Sequence, residues 1–325
     1  MKACIYGAGA IGGLLGARLC QAGWDVSLIA RGPQLEAIRR AGLRLRTRDE
    51  EFTVNPRATD RPQTLGAQDM VLVTTKTTAL VEIAPNLASL IGPGTAVTFV
   101  TNGLPWWYLA QIEPTPSAWS APVREITEAL SRVVPLAQCI GGVAYAASHV
   151  GEPGLVINSN SATSRFVFGA VEDDMVPACE RLATALTAAG LPSTQERPLA
   201  PLIWSKLLQN VISGPLGALT GMTSRSVVTD PVLIDTVKVL SAEAETLASA
   251  CGMSDVAPDL AKFAARVADH KSSMLQDYEL GRRPEIDTLL GALCDLGRIK
   301  GIETPSLDLI YALTRAKAVA LGIYR

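Results

Sequence analysis

Histidine is scarce in this 325-residue chain, which has only His149 and His270. Two histidines are too few to assemble a zinc site at the usual ligand spacings. The six cysteines (Cys4, Cys20, Cys139, Cys179, Cys251, Cys294) include no CxxC pair. Reduced, mostly buried thiols in a cytoplasmic protein are therefore the expectation. Charge is also sparse, with 18% charged residues against 48% hydrophobic ones and a formal net charge of -2. That composition is globular, and the lack of any charge block argues against nucleic acid or anionic membrane as partners. No run reaches the roughly 18 apolar residues that span a bilayer. The N-terminal stretch MKACIYGAGAIGGLLGARL is apolar, but its glycines and Arg18 interrupt it and only Lys2 precedes it as a base. It is not read as a signal peptide.

The chain is long enough for two domains with substantial cores. KACIYG has strand character and runs directly into GAGAIGG, after which LLGARLCQAG has helical spacing up to Gly23 and DVSLIA is a second strand. Strand, glycine turn, helix and strand within about thirty residues is the context in which G-x-G-x-x-G points to a dinucleotide. Gly7 permits the tight turn, Gly9 lets the pyrophosphate approach, and Gly12 lets the helix pack close. The cofactor loop is thus Gly7, Ala8, Gly9, Ala10, Ile11 and Gly12, with the helix N-terminus offering N–H groups to phosphate. Where the second strand ends, an NAD-binding domain usually has an acid for the adenine ribose. This chain has Arg31 there. A guanidinium suits the 2′-phosphate of NADP(H), and an ordinary surface arginine is the alternative.

QDMVLVTTKTTA and AVTFVTNGL are two further buried strands with polar tips at Lys76 and Asn102. In an open parallel sheet such tips face the ligand crevice. Lys76 could meet phosphate or a substrate carboxylate, and Asn102 the nicotinamide ribose or substrate; each could equally be a strand-end surface residue. The segment 105–122 then gathers Trp106, Trp107, Tyr108 and Trp119 among four prolines. It reads as an aromatic loop that walls a pocket, forms a subunit contact, or simply packs on the sheet. CIGGVAYAASHV, GLVINSN and RFVFGA read as strands in hairpin order, followed by the helix MVPACERLATALTAAG. The first domain, α/β and Rossmann-type, is placed at 1–197.

From 198 to 325 the periodicity is helical. PVLIDTVKVLSAEAETLASACG, PDLAKFAARVADHKSSMLQDYELG, EIDTLLGALCDLGRIKG and SLDLIYALTRAKAVALG each carry an apolar stripe. An all-α second domain must supply what the sheet lacks. Ketone reduction builds negative charge on oxygen, so a proton donor must stand beside it. Lys206, in WSKLLQN, is the natural candidate, because a desolvated lysine has a lowered pKa. Asn210, one turn on, lies on the same helix face and could orient substrate. A plain solvated face is the competing reading. Glu285 sits near a predicted helix start after Gly281 and Pro284, where the dipole favours a carboxylate. It could hold a substrate hydroxyl or the lysine, or merely decorate a first turn.

YGAGAIGG, Arg31, TTKT, TNG, IWSKLLQN, SSMLQD and GRRPEID together resemble the ketopantoate reductase family, and they spread over most of the chain. The resemblance implies a Rossmann-type domain followed by a helical one, NADP(H) as cofactor, and reduction of 2-dehydropantoate, a small 2-oxo acid, to pantoate for pantothenate biosynthesis. It implies Lys206 as general acid and Glu285 as the carboxylate that binds the substrate hydroxyl and supports Lys206. Asn210 and Ser273 correspond to substrate-binding positions; Gly7, Gly9, Gly12, Arg31, Lys76 and Asn102 correspond to cofactor-side ones. The chain departs from the family pattern at Gly214 and near Ser224, where asparagines are usual. Fewer amides near the substrate leave room for a bulkier oxo acid or imine, and a non-catalytic NADP-binding sensor is a further alternative. A homodimer is the assembly that a helical domain of this size suggests.

Overall fold

A computed structural model describes residues 1–267 and 269–324. The chain forms two compact units, one from Met1–Thr101 and Ala129–Leu199, the other from Asn102–Glu128 and the residues from Ala200 onward. The chain passes from one unit to the other after Thr101, after Glu128 and after Leu199. Residues 102–128 group with the helices.

In chain order the first unit begins with β1 (Lys2–Tyr6), α1 (Ala10–Gln21), β2 (Asp25–Ile29), α2 (Gly32–Ala41), β3 (Leu43–Arg46) and β4 (Glu51–Val54). It continues with β5 (Arg57–Thr59), β6 (Met70–Val73), α3 (Leu80–Leu87) and β7 (Ala96–Phe99). After α4 (Trp106–Ile112) and α5 (Ala121–Ser131) come β8 (Cys139–Tyr145), β9 (Ser148–Glu152), β10 (Leu155–Asn158), β11 (Arg165–Ala170), α6 (Val176–Ala188) and β12 (Ser193–Gln195).

The large sheet runs β12-β11-β8-β7-β6-β1-β2-β5. It is parallel from β5 to β8, while β11 is antiparallel to β8. Parallel strands are covered on both faces and so read as continuous apolar runs. Met70 to Val73 are accordingly all fully buried, as are Ala3 to Ile5. The strand order reverses direction around β1, so the tips of β1 and β6 flank the switch point where nucleotides bind in such folds.

The expected hairpin order of the later strands is not what forms. β8 joins the large sheet between β7 and β11, whereas β9 pairs with β10 in a separate sheet of order β4-β3-β10-β9. β9 is almost wholly exposed and β8 is buried at Cys139, Ile140 and Val143. β9 and β10 thus form a hairpin of their own, while the buried β8 passes over both and pairs with β11.

The second unit contains α4 and most of α5, then α7 (Ala200–Thr220), α8 (Ser224–Thr229), α9 (Ile234–Ala250), α10 (Leu260–Arg266), α11 (Ser273–Glu279), α12 (Ala292–Lys300) and α13 (Pro305–Ala320). A π-helical turn, Asp287–Gly291, leads into α12. α7 is the central element, packing on α9, α11 and α13. Its apolar side is closed to solvent: Trp204, Leu208, Val211 and Ile212 are all 0% exposed.

Two expectations change in this unit. The aromatic segment is a loop only in its middle, because Trp106, Trp107 and Tyr108 open α4 and are buried. Pro105 precedes that helix, a position where proline starts helices rather than breaking them. The run PDLAKFAARVADHKSSMLQDYELG also divides into α10 and α11. Ser272 ends the interruption by accepting a hydrogen bond from Leu275 N–H as the N-cap of α11.

Candidate active site

The glycine loop after β1 is built by close contact. Gly7 has φ +108, and a Cβ there would lie 2.8 Å from Thr75 Cγ2. A Cβ on Gly12 would lie 2.0 Å from the Gly7 carbonyl oxygen and 2.4 Å from Thr74 Oγ1. Thr74, just past β6, donates its hydroxyl to the Gly7 carbonyl at 2.8 Å and so ties the two strand tips together. Gly9 differs from both: it is exposed, and a Cβ on it meets nothing within 4 Å. Space therefore opens directly in front of the α1 N-terminus, which has no side-chain cap. An uncapped N-terminus facing open space fits the pyrophosphate of a dinucleotide. Ala8 is buried, while Ala10 and Ile11 are half-buried in the first turn of α1.

Arg31 ends the second strand segment as the N-cap residue of α2, with extended backbone. Its Nη1 lies 2.8 Å from Glu82 Oε1 on α3, and both side chains are 67% exposed. Lys76 is half-buried at the start of the short turn Thr77–Ala79 beyond β6. Gly7–Gly12, Arg31 and Lys76 thus belong to the first unit, at the carboxyl-end tips of β1, β2 and β6.

The second constellation lies wholly in the helical unit. Lys206 Nζ donates to Asn102 Oδ1 at 3.3 Å, and Asn102 Nδ2 donates to Glu285 Oε2 at 3.1 Å. One amide therefore joins the candidate acid to the candidate carboxylate. Burial holds the Lys206 ammonium down to a pKa of about 8, with the Glu285 carboxylate pulling it back up. Glu285 itself is 8% exposed. It immediately precedes Ile286, where the helical backbone begins.

Backbone contacts hold this arrangement. Gly103 (φ +79) brings its Cα so close to Thr288 that a Cβ would lie 2.4 Å from the Thr288 carbonyl oxygen. The same carbonyl accepts Leu104 N–H at 3.0 Å. Thr288 lies inside the π-helical turn, and such turns frequently occur at functional sites. Two residues before Lys206, Trp204 Nε1 donates to Tyr108 Oη at 2.8 Å, which fixes α4 against α7.

Asn210 is half-buried and stands one turn from Lys206 on the same stripe of α7. Gly214 continues that stripe, and a Cβ there meets nothing within 4 Å. Ser273 is exposed at the first position of α11, whereas the neighbouring Ser272 caps the helix and reaches the Gly214 carbonyl at 3.5 Å. Ser224 is 4% exposed and its N–H bonds the His270 carbonyl.

Sequence reasoning missed Thr74, Glu82 and Thr288, and it named Tyr108 only as one aromatic of the 105–122 segment. The T-T-K run that ends at Lys76 and the single acid at the third position of α3 were the only signals for the first two. Nothing local marks Tyr108 as a hydrogen-bond partner of Trp204, or Thr288 as a carbonyl acceptor.

Comparison with known proteins agrees with this geometry. The family model described as ketopantoate reductase PanE/ApbA matches residues 3–173, and its C-terminal counterpart matches residues 199–318. A curated relative named 2-dehydropantoate 2-reductase, from Mesorhizobium japonicum, is 36% identical over 100% of both chains. The crystal structure of a protein described as a ketopantoate reductase of Ralstonia solanacearum superposes with a TM-score of 0.87 at 31% identity, covering 99% of each chain. A D-mandelate dehydrogenase structure, described as a ternary complex with NADH and anilino(oxo)acetate, shares the fold with a TM-score of 0.83 at 21% identity over 99% of this chain and 100% of its own. The chain belongs to the ketopantoate reductase PanE/ApbA family, whose members are nicotinamide-dependent oxidoreductases.

Proposed function

We propose that the protein reduces a small 2-oxo acid to the 2-hydroxy acid with NADPH, and that 2-dehydropantoate, giving pantoate, is the substrate. The observation that carries this reading is the Asn102 amide bridging Lys206 and Glu285. The glycine loop and the α1 N-terminus would hold the pyrophosphate, with Arg31 at the 2′-phosphate and Lys76 beside a phosphate. The bound nicotinamide supplies a hydride to the carbonyl carbon. As the C=O π electrons move onto oxygen, Lys206 gives that oxygen a proton and is left as a neutral amine, which solvent reprotonates. With a pKa of about 8, Lys206 is mostly protonated at neutral pH, the form that reduction requires. Asn102 aims the ammonium by accepting from it. Glu285 accepts from Asn102 and is the carboxylate that would take a substrate hydroxyl; Asn210 orients the substrate from the same helix face as Lys206.

Gly214 favours a second reading, in which the acid carries a larger substituent, because the position next along the Lys206–Asn210 stripe is open. The buried tryptophans of α4 give that reading no support, since their rings are part of the core. Six free cysteines support a reducing, cytoplasmic setting. Among the described residues no helix is long and apolar enough to cross a membrane.

The test is the initial rate of NADPH oxidation with 2-dehydropantoate and, in parallel, with a phenyl-substituted 2-oxo acid. Rapid turnover at low Michaelis constant on the first establishes the proposed reaction. Turnover confined to the second moves the substrate to the bulkier class. NADPH binding without turnover on either would leave a sensor.

A further inference from the structure

The cation read as the 2′-phosphate ligand already has a carboxylate on it. Arg31 Nη1 and Glu82 Oε1 are 2.8 Å apart, and each side chain is 67% exposed. The pair belongs to a small polar group at the tips of β1 and β2. The Tyr6 hydroxyl, at the end of β1, feels the charges of both Arg31 and Glu82 and hydrogen-bonds Asn86 on the same helix as Glu82. Lys76 is the other cation of the neighbouring strand tip. Both side chains are largely in solvent, so the attraction between the two charges is what the structure shows joining them.

We infer that Glu82 is a specificity-determining residue for the cofactor: it competes with the 2′-phosphate for Arg31 and narrows the preference for NADPH over NADH. This rests on the reading that Arg31 takes that phosphate. A 2′-phosphate brings close to two negative charges to a guanidinium whose Nη1 is already engaged. Either Glu82 swings into solvent, giving up its pairing, or it stays and repels the incoming group. Both routes weaken NADPH binding. For NADH the sign is reversed, since a carboxylate accepts hydrogen bonds from a ribose diol and repels nothing. One exposed residue therefore draws the two affinities together, in the direction opposite to Arg31. Exposed pairs of this kind are weak, so the expected effect is about two- to tenfold, and it fades as salt screens it.

The test is calorimetric titration of the full chain with adenosine 2′,5′-bisphosphate and with 5′-AMP, in wild type, Glu82→Gln, Arg31→Ala and the double variant. These probes carry the adenine ribose alone, so the readout is independent of catalysis, and both substitutions are at exposed positions that the fold tolerates. Glu82→Gln is expected to bind the bisphosphate about two- to tenfold more tightly at low salt, to bind 5′-AMP no better, and to lose its gain at high salt. In the Arg31→Ala background the gain from Glu82→Gln should shrink to what direct repulsion alone supplies, since no guanidinium is left to compete for. If Glu82→Gln alters neither probe, or alters both equally, the proposal is overturned while a weakened Arg31→Ala leaves the Arg31 reading standing. If Arg31→Ala binds the bisphosphate as wild type does, the Arg31 reading itself fails and the proposal with it.

Discussion

Gly103 and Thr288 touch backbone to backbone: a Cβ on Gly103 would sit 2.4 Å from the Thr288 carbonyl oxygen, and the glycine's φ is +79. The approach places the Asn102 side chain between Lys206 and Glu285, since Asn102 precedes the contact and Glu285 precedes the π-helical turn that contains Thr288. Substituting Gly103→Ala forces both a left-handed backbone and a steric clash. The expected loss is about 2–4 kcal/mol of stability, with a fall in kcat in whatever fraction remains folded. Denaturant unfolding together with kcat checks it; an unchanged midpoint would show that the loop has no such constraint.

Asn102 can be tested by changing charge in opposite directions. Asn102→Asp adds an anion beside Lys206, favours the ammonium and should move its pKa up. Asn102→Ala removes an acceptor from the charged form and should move it down. The alkaline limb of kcat/KM against pH is therefore expected to shift to higher pH in the first variant and to lower pH in the second. Shifts of the same sign in both would refute the bridging role.

The glycine loop separates folding from binding. Gly12→Ala places a Cβ 2.0 Å from the Gly7 carbonyl, so the unit should be destabilised and dinucleotide binding lost with it. Gly9→Ala meets nothing within 4 Å, and Gly9 has an ordinary φ of -81. It is expected to fold as well as wild type, gaining up to about 0.5–1 kcal/mol. Its added methyl should nonetheless stand where the pyrophosphate approaches and weaken NADPH binding about tenfold or more. Melting temperature and NADPH titration, taken together, decide it. Equal NADPH affinity in wild type and Gly9→Ala would move the pyrophosphate elsewhere.

Much of this was legible in the sequence because it is local. The glycine pattern, the buried run Met70–Val73 and the Lys206–Asn210 stripe are each contained in a few residues and one period. Features that depend on distant partners were not legible. Asn102 and Glu285 are 183 positions apart, and neither residue signals the other. The Thr288 carbonyl accepts from Leu104, 184 positions earlier, out of a π-helical turn that no side-chain pattern announces. The small sheet joins Leu43–Arg46 to Leu155–Asn158, so β9 and β10 lie outside the main sheet. Prolines on either side of the aromatic segment hid α4, since Pro105 precedes the helix rather than interrupting it.

Lys206 as the proton donor is the central claim, and the pH dependence of kcat/KM for 2-dehydropantoate reduction tests it most directly. Lys206 has a pKa lowered to about 8 by burial, and only its protonated form can give a proton to the oxygen. The rate should be level at neutral pH and fall about tenfold per pH unit above about 8. In Lys206→Ala it should be about 10²–10⁴-fold lower and lack that limb. A wild-type profile that stays flat to pH 10, or a limb that survives in Lys206→Ala, would assign the proton to another group.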